Sequence, residues 1–271
     1  MDKFAHRVQI GCVAYFAAFT SSVSPVLAGA WPLPEGDTLA IVQVSHTLAH
    51  RNFDQSGNAT SRGRFSKIEP QLYVEHGLTK QITLLGKFSR STDQSVAFGQ
   101  EFTDVNFRRA EIGARAYLFT WRETLYTVDV IFGRTLGAST NDPAASQSGD
   151  LDYEFGLTTG TTFTEFGLNG FNETRIAYRQ RPGARPAEAK VDVTMGVHVN
   201  DQWLVMLKNQ TENSLGRTPS PRGHFWANKG ELSVVHDLEP GFSIEAGAFR
   251  TIAGRNVLKE TGLKLAFWYR F

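Results

Sequence analysis

Cysteine is nearly missing from this chain. The 271 residues hold one, Cys12, and it lies in an apolar stretch near the N-terminus. With that stretch removed, no disulfide, thiolate metal site or cysteine nucleophile is available. A surplus of either charge is also missing: 28 Lys and Arg face 27 Asp and Glu, a net charge of +1 that offers no electrostatic footprint for nucleic acid. Long hydrophobic runs are absent as well. From Trp31 onward nothing nears the roughly 18 uncharged apolar residues a spanning helix needs. A helical membrane protein is therefore excluded. A soluble protein, or one that crosses a membrane by strands, remains.

What is present begins with an export signal. "MDKFAHR" carries Lys3 and Arg7, an apolar stretch runs from Val8 to Phe19, and small residues lead to "VLAGA". This tripartite pattern predicts a secretory signal peptide over 1–28, with cleavage after Ala28 or Ala30, and a mature chain of 29–271. The "VQIG" before Cys12 lacks a good lipoprotein box.

Past "WPLPEGD" the sequence alternates apolar and polar residues in segments of about ten, separated by turn formers, which is the weak repeated signal of a transmembrane β-barrel. About twelve strands are predicted: Thr38–Thr47, Phe65–His76, Gln81–Ser91, Asp104–Thr120, Glu123–Leu136, Asp150–Phe163, Phe171–Arg181, Glu188–Asn200, Gln202–Gln210, Phe225–His236, Phe242–Ile252 and Val257–Phe271. The connections alternate in length. "GLTK", "TWRE", "EFGLNG", "VNDQ" and "DLEPG" are short; "RNFDQSGNATSRGR", "STDQSVAFGQEFT", "GASTNDPAASQSG" and "TENSLGRTPSPRGH" are long and polar. Short periplasmic turns and longer extracellular loops are how bacterial outer-membrane barrels are built. A soluble β-sandwich also has short strands, but its two faces would not separate so consistently. In "RRAEIGARAYLF", Arg109, Glu111, Arg115 and Tyr117 alternate with Ala110, Ile112, Ala114, Ala116 and Leu118. Lipid outside and a polar lumen inside account for that division, and lipid contact requires closure because an open edge leaves backbone groups unpaired in hydrocarbon. Aromatics cluster where strands meet connections: Phe119, Trp121, Phe163, Phe166, Trp203, Phe242, Tyr269 and Phe271, the positions of an interfacial girdle.

The chain ends "LKLAFWYRF". Leu263, Leu265, Phe267, Tyr269 and Phe271 share one strand face; Lys264, Ala266, Trp268 and Arg270 share the other. This ending resembles the C-terminal signature of Gram-negative outer-membrane proteins. The resemblance implies a porin-like barrel in the cell outer membrane. It also implies recognition of Phe267, Tyr269 and Phe271 by the barrel-assembly machinery. Together with "GAWPLPEGD" after "VLA", the ending is similar to a poorly characterised proteobacterial group, some members of which accompany exopolysaccharide synthesis.

Catalytic and metal chemistry find little support. His76 and His236 fall near short turns, and His46 and His50 where the first strand meets the first long loop; none pairs with a serine in a local motif. Four residues apart on a strand, His46 and His50 are about 13 Å apart, too far to share an ion. "GRTLGAST" and "LGRTPSPRG" do not sit between strand and helix, so a phosphate loop fails. No catalytic residue, metal or cofactor is expected. Basic loop residues offer contacts to lipopolysaccharide phosphates, although solvated loop charge reads the same way.

Function is then expected in the lumen. The inward, pore-lining candidates are Glu69, Glu75, Arg109, Glu111, Arg115, Asp152, Glu154, Glu173, Arg175, Arg179, Lys190, Asp192, Lys208, Glu231, Glu245 and Lys264. Their signs are mixed. Opposed charges can leave a hydrated channel suited to hydroxyl-rich solutes, or pair across the interior and plug it. The expected function is a channel or export conduit for hydrophilic solutes such as oligo- or polysaccharide. A closed structural or adhesive barrel is the alternative, and an outer-membrane lipid hydrolase the third reading.

Overall fold

The computed structural model describes residues 29–97, 100–136, 151–181, 186–216 and 224–271. The expected signal peptide and the loop "GASTNDPAASQSG" lie outside the described residues. Thirteen strands form one antiparallel sheet: β1 Thr38–Phe53, β2 Ala59–Gly77, β3 Ile82–Ala97, β4 Gln100–Trp121, β5 Thr124–Leu136, β6 Asp152–Glu165, β7 Leu168–Gln180, β8 Ala187–Asn200, β9 Trp203–Leu215, β10 Trp226–Glu239, β11 Phe242–Arg255, β12 Val257–Leu258 and β13 Thr261–Arg270. The two-residue β12 only extends the pairing on β1 beyond the rim. Twelve staves remain, each paired with its neighbours, and β1 pairs with both β2 and β13, so the sheet closes on itself.

Closure rests on the last strand. Val42 faces Phe267 and Ala40 faces Tyr269 across the β1–β13 pair. Beyond it the Thr38 amide donates to the Phe271 carbonyl at 2.8 Å, and the Phe271 amide returns a bond to Thr38 at 3.0 Å. Both ends of the barrel chain therefore meet at the end that carries the short turns. Those turns are tight for a sequence reason: Phe166 and Gly167 both take positive φ, 53° and 78°, the two-residue geometry whose twist matches a hairpin.

The strands are longer than the alternating pattern suggests. "RNFDQSGNATSRGR" is mostly strand: β1 runs on to Phe53, β2 begins at Ala59, and the Asp54 carboxylate accepts the amides of Ser56 and Asn58 at 2.8 and 2.9 Å to close the turn. Of "STDQSVAFGQEFT", residues 91–97 likewise belong to β3 and 100–103 to β4, and "TENSL" to β9. β4 holds 22 residues, about 70 Å of chain at about 3.3 Å each, against an apolar band about 25 Å tall. In β3, Ser91, Asp93 and Ser95 alternate with Thr92 and Gln94, so hydrophobic periodicity fades while the ladder continues.

The exterior is apolar. Ile112 is 70% exposed and Leu263 66%, with Val42, Ile68, Leu72, Phe155, Ile176, Leu207, Leu232 and Phe267 also turned outward. At the short-turn end Trp203 stacks on His236, Phe242 on Tyr269 and Tyr269 on Phe271, with ring centroids 4.2, 4.3 and 4.9 Å apart. Charged side chains sit inside instead: Glu75 is fully buried, and Arg115 and Lys264 nearly so. A soluble sandwich would hold these two sets the other way round.

Candidate functional site

Strand alternation aims every second residue of each stave into the barrel, and all the inward candidates from the sequence arrive there in hydrogen bonds or ion pairs. Arg109 Nε lies 2.7 Å from Glu111 Oε1, and its Nη1 lies 3.0 Å from Asp152 Oδ2. Arg175 Nη2 reaches Glu154 Oε1 at 2.7 Å, and its Nη1 approaches Asp192 Oδ2 at 3.9 Å. Arg179 Nε and Lys190 Nζ converge on Glu154 Oε2 at 2.8 and 3.1 Å. A second knot joins β9, β10, β11 and β13. There Lys208 Nζ lies 3.1 Å from Glu245 Oε1 and 3.3 Å from Glu231 Oε1; Lys264 pairs with both carboxylates, 2.8 Å from Glu245 Oε1. Lys67 and Glu69 pair at 2.6 Å on β2. Many of these bonds link strands two apart, which the inward curvature of a small barrel brings within side-chain reach. Pairing is needed because an unpartnered charge in so narrow an interior carries a large desolvation cost.

Several inward residues were not among the sequence candidates. Asp129, buried on β5, takes Arg175 Nη2 at 2.5 Å. Glu188 accepts Arg181 Nη2 at 2.8 Å, and Lys190 also reaches Glu212 at 3.4 Å. The signal for Asp129 is present in the sequence, since "TVDV" alternates as cleanly as "RRAEIGARAYLF". A cavity of about 170 Å³ lies along this wall, lined among others by Tyr73, Lys87, Glu111, Arg115, Asp129 and Arg175.

The other unforeseen feature is apolar. Residues 29–33, ahead of β1, turn into the short-turn end of the barrel, and residues 34–36 are exposed at its rim. Ala30 is fully buried and Leu33 is 5% exposed. Leu33 joins inward residues Leu39, Ile41, Phe171, Leu204, Met206, Val235, Ala266 and Trp268 in one cluster, with Trp31 and Tyr73 packed against it. The Trp31 ring meets Phe171 edge-on at 5.8 Å. Glu173 Oε2 accepts the Ala30 amide at 2.6 Å, and Thr83 Oγ1 accepts the Leu33 amide at 3.2 Å. Pro32 and Pro34 explain why this segment is not a thirteenth stave: proline supplies no ladder donor. Gly160 makes room for it, since a Cβ there would lie 2.6 Å from that of Ala30.

His76 and His236 lie near short turns as expected, whereas His46 and His50 are placed differently. His46 sits within β1, not at its end, and its Nε2 is 3.2 Å from Ser66 Oγ on β2, on the outward face. A His–Ser pair therefore exists, although no carboxylate completes it among the described residues. His76 bonds Thr38 Oγ1 through Nδ1 at 2.9 Å.

A closed antiparallel barrel of twelve staves, apolar outside and charged within, is a transmembrane β-barrel of the outer-membrane kind, and its surface belongs in that membrane. Solved structures with the same fold include an outer membrane channel from Pseudomonas putida F1, 11% identical, with 90% of this chain and 99% of that one covered and a TM-score of 0.65. The NanC porin is 9% identical over 84% of this chain and 98% of its own, with a TM-score of 0.52. The KdgM porin is 6% identical over 85% and 99%, with a TM-score of 0.50. No family model matches the sequence, and neither does any curated protein.

Proposed function

We propose that this protein is an outer-membrane channel for hydrophilic solutes, oligo- or polysaccharides by preference, whose short-turn mouth is closed at rest by residues 29–37. One observation carries the reading: beyond the apolar short-turn end the lumen wall is polar and charged, with acidic and basic side chains interleaved. Such a wall holds water and offers hydroxyl-rich solutes many donors and acceptors, while the absence of a single-sign ladder disfavours strong selection among small ions. The porins and the channel that share the fold support transport as the general activity. The proposal includes an exported precursor, assembly directed by Phe267, Tyr269 and Phe271, and contacts of the long-hairpin end with lipopolysaccharide.

Planar-bilayer recording tests this. The mature chain should conduct rarely, and a variant lacking residues 29–34 should give discrete steps that added oligosaccharide blocks. The buried N-terminal segment also favours a second reading, a permanently closed barrel acting through its extracellular hairpins. Absence of steps from both proteins, with the barrel folded, would select that reading.

A further inference from the structure

Glu173 and the segment it holds point to how the mature chain begins. Glu173 projects from β7 into the apolar short-turn end of the barrel, and no Lys or Arg lies within ion-pair distance of it among the described residues. Its carboxylate instead wraps the backbone of Gly29 and Ala30: Oε2 accepts the Ala30 amide at 2.6 Å. A Cβ on Gly29 would fall 2.5 Å from Glu173 Cδ and 2.6 Å from Oε1. Residue 29 is thus a glycine because any side chain there would run into the carboxylate. Its own nitrogen stands about 2.5 Å from where that Cβ would be, which sets it beside the carboxylate.

We infer that the export signal is removed after Ala28, and that the α-ammonium so created on Gly29 pairs with Glu173 as the latch of the N-terminal plug. Hydrolysis of the Ala28–Gly29 peptide bond by a signal peptidase adds one water. The carboxylate stays with Ala28, and Gly29 keeps the amine, protonated at neutral pH. The cationic terminus adds a contact ion pair to the longer-range attraction that Glu173 already receives from Arg115 and Lys208. Cleavage after Ala30, the other site the sequence allows, would discard a fully buried residue that Gly160 is shaped to receive, and would leave the carboxylate without the amide it now holds. The pairing is independent of whether the barrel conducts, so it can fail or stand apart from the channel reading.

Intact mass of the protein extracted from outer membranes supplies the first test. A chain starting at Gly29 is expected; one starting at Trp31 overturns the inference. The second test uses the cysteine-free mature chain with a spin label at Glu35→Cys, refolded in three forms. The form starting at Gly29 should give an immobilised spectrum. Glu173→Gln, which keeps the acceptor and removes the charge, should give a mobile one. A form extended by two residues ahead of Gly29, which moves the ammonium about 7 Å away, should be mobile too. Equal immobilisation of all three would show that the ammonium–carboxylate pair is not the latch.

Discussion

Arg115 Nη1 lies 3.1 Å from Glu75 Oε1, joining β4 to β2 across the inside of the barrel, and Tyr73 donates its hydroxyl to the same carboxylate at 2.5 Å. Glu75 is wholly shielded and Arg115 is 7% exposed. Removing one partner leaves the other buried and uncompensated. Arg115→Met should therefore cost about 3–5 kcal/mol of barrel stability, while Glu75→Gln together with Arg115→Met should recover much of it. Urea titration in detergent, followed by loss of the fast-migrating folded band, measures both.

The facing of β4 separates two neighbours. Ile112 is 70% exposed on the lipid side, whereas Glu111 bonds Arg109 inside. Ile112→Lys should cost about 2–4 kcal/mol in bilayer folding, and Glu111→Gln should fold with near-normal yield. The reverse pattern would mean that the protein buries its apolar face, as a soluble barrel does.

Ion preference should follow the β9–β13 knot. In Lys208→Gln with Lys264→Gln, Glu231 and Glu245 lose their cations. Conductance through the form lacking residues 29–34 should then shift toward cations, read as a displaced reversal potential in a salt gradient. An unchanged potential would place the conduction path elsewhere.

Gly160 can serve as a wedge. Its absent Cβ leaves the room that Ala30 occupies, so Gly160→Val should expel the N-terminal segment without unpairing β6. Protease cleavage within residues 29–37 should rise several-fold while the barrel stays heat-modifiable; unchanged protection would argue against the packing described.

Phe271 closes the register through its backbone bonds to Thr38 and its stacking on Tyr269. Deleting it should slow assembly and raise periplasmic degradation, and Phe271→Tyr should be mild. Pulse-chase assembly in cells distinguishes the two.

The class of fold was legible along the chain because lipid imposes period-two alternation on every stave. That rule set the strand count, the closure through "LKLAFWYRF" and the inward parity of residues from Glu69 to Lys264 without any knowledge of contacts. Where lipid stopped acting the pattern lost its grip: the polar stretches after Thr47 and Ser91 read as loops, yet they continue as ladder, because backbone pairing needs no hydrophobic face. Pairing partners were hidden for a different reason. Arg175 meets Asp129 because curvature brings together strands that are separated in the sheet, and local sequence carries no record of curvature. The N-terminal segment is the clearest case. "GAWPLP" shows three apolar side chains and two prolines, compatible with any exposed linker. Only the closed barrel supplies the apolar mouth, the gap over Gly160 and the half-buried Glu173 that draw it inside, since the packing of Trp31 and Leu33 depends on surfaces contributed by strands far along the chain.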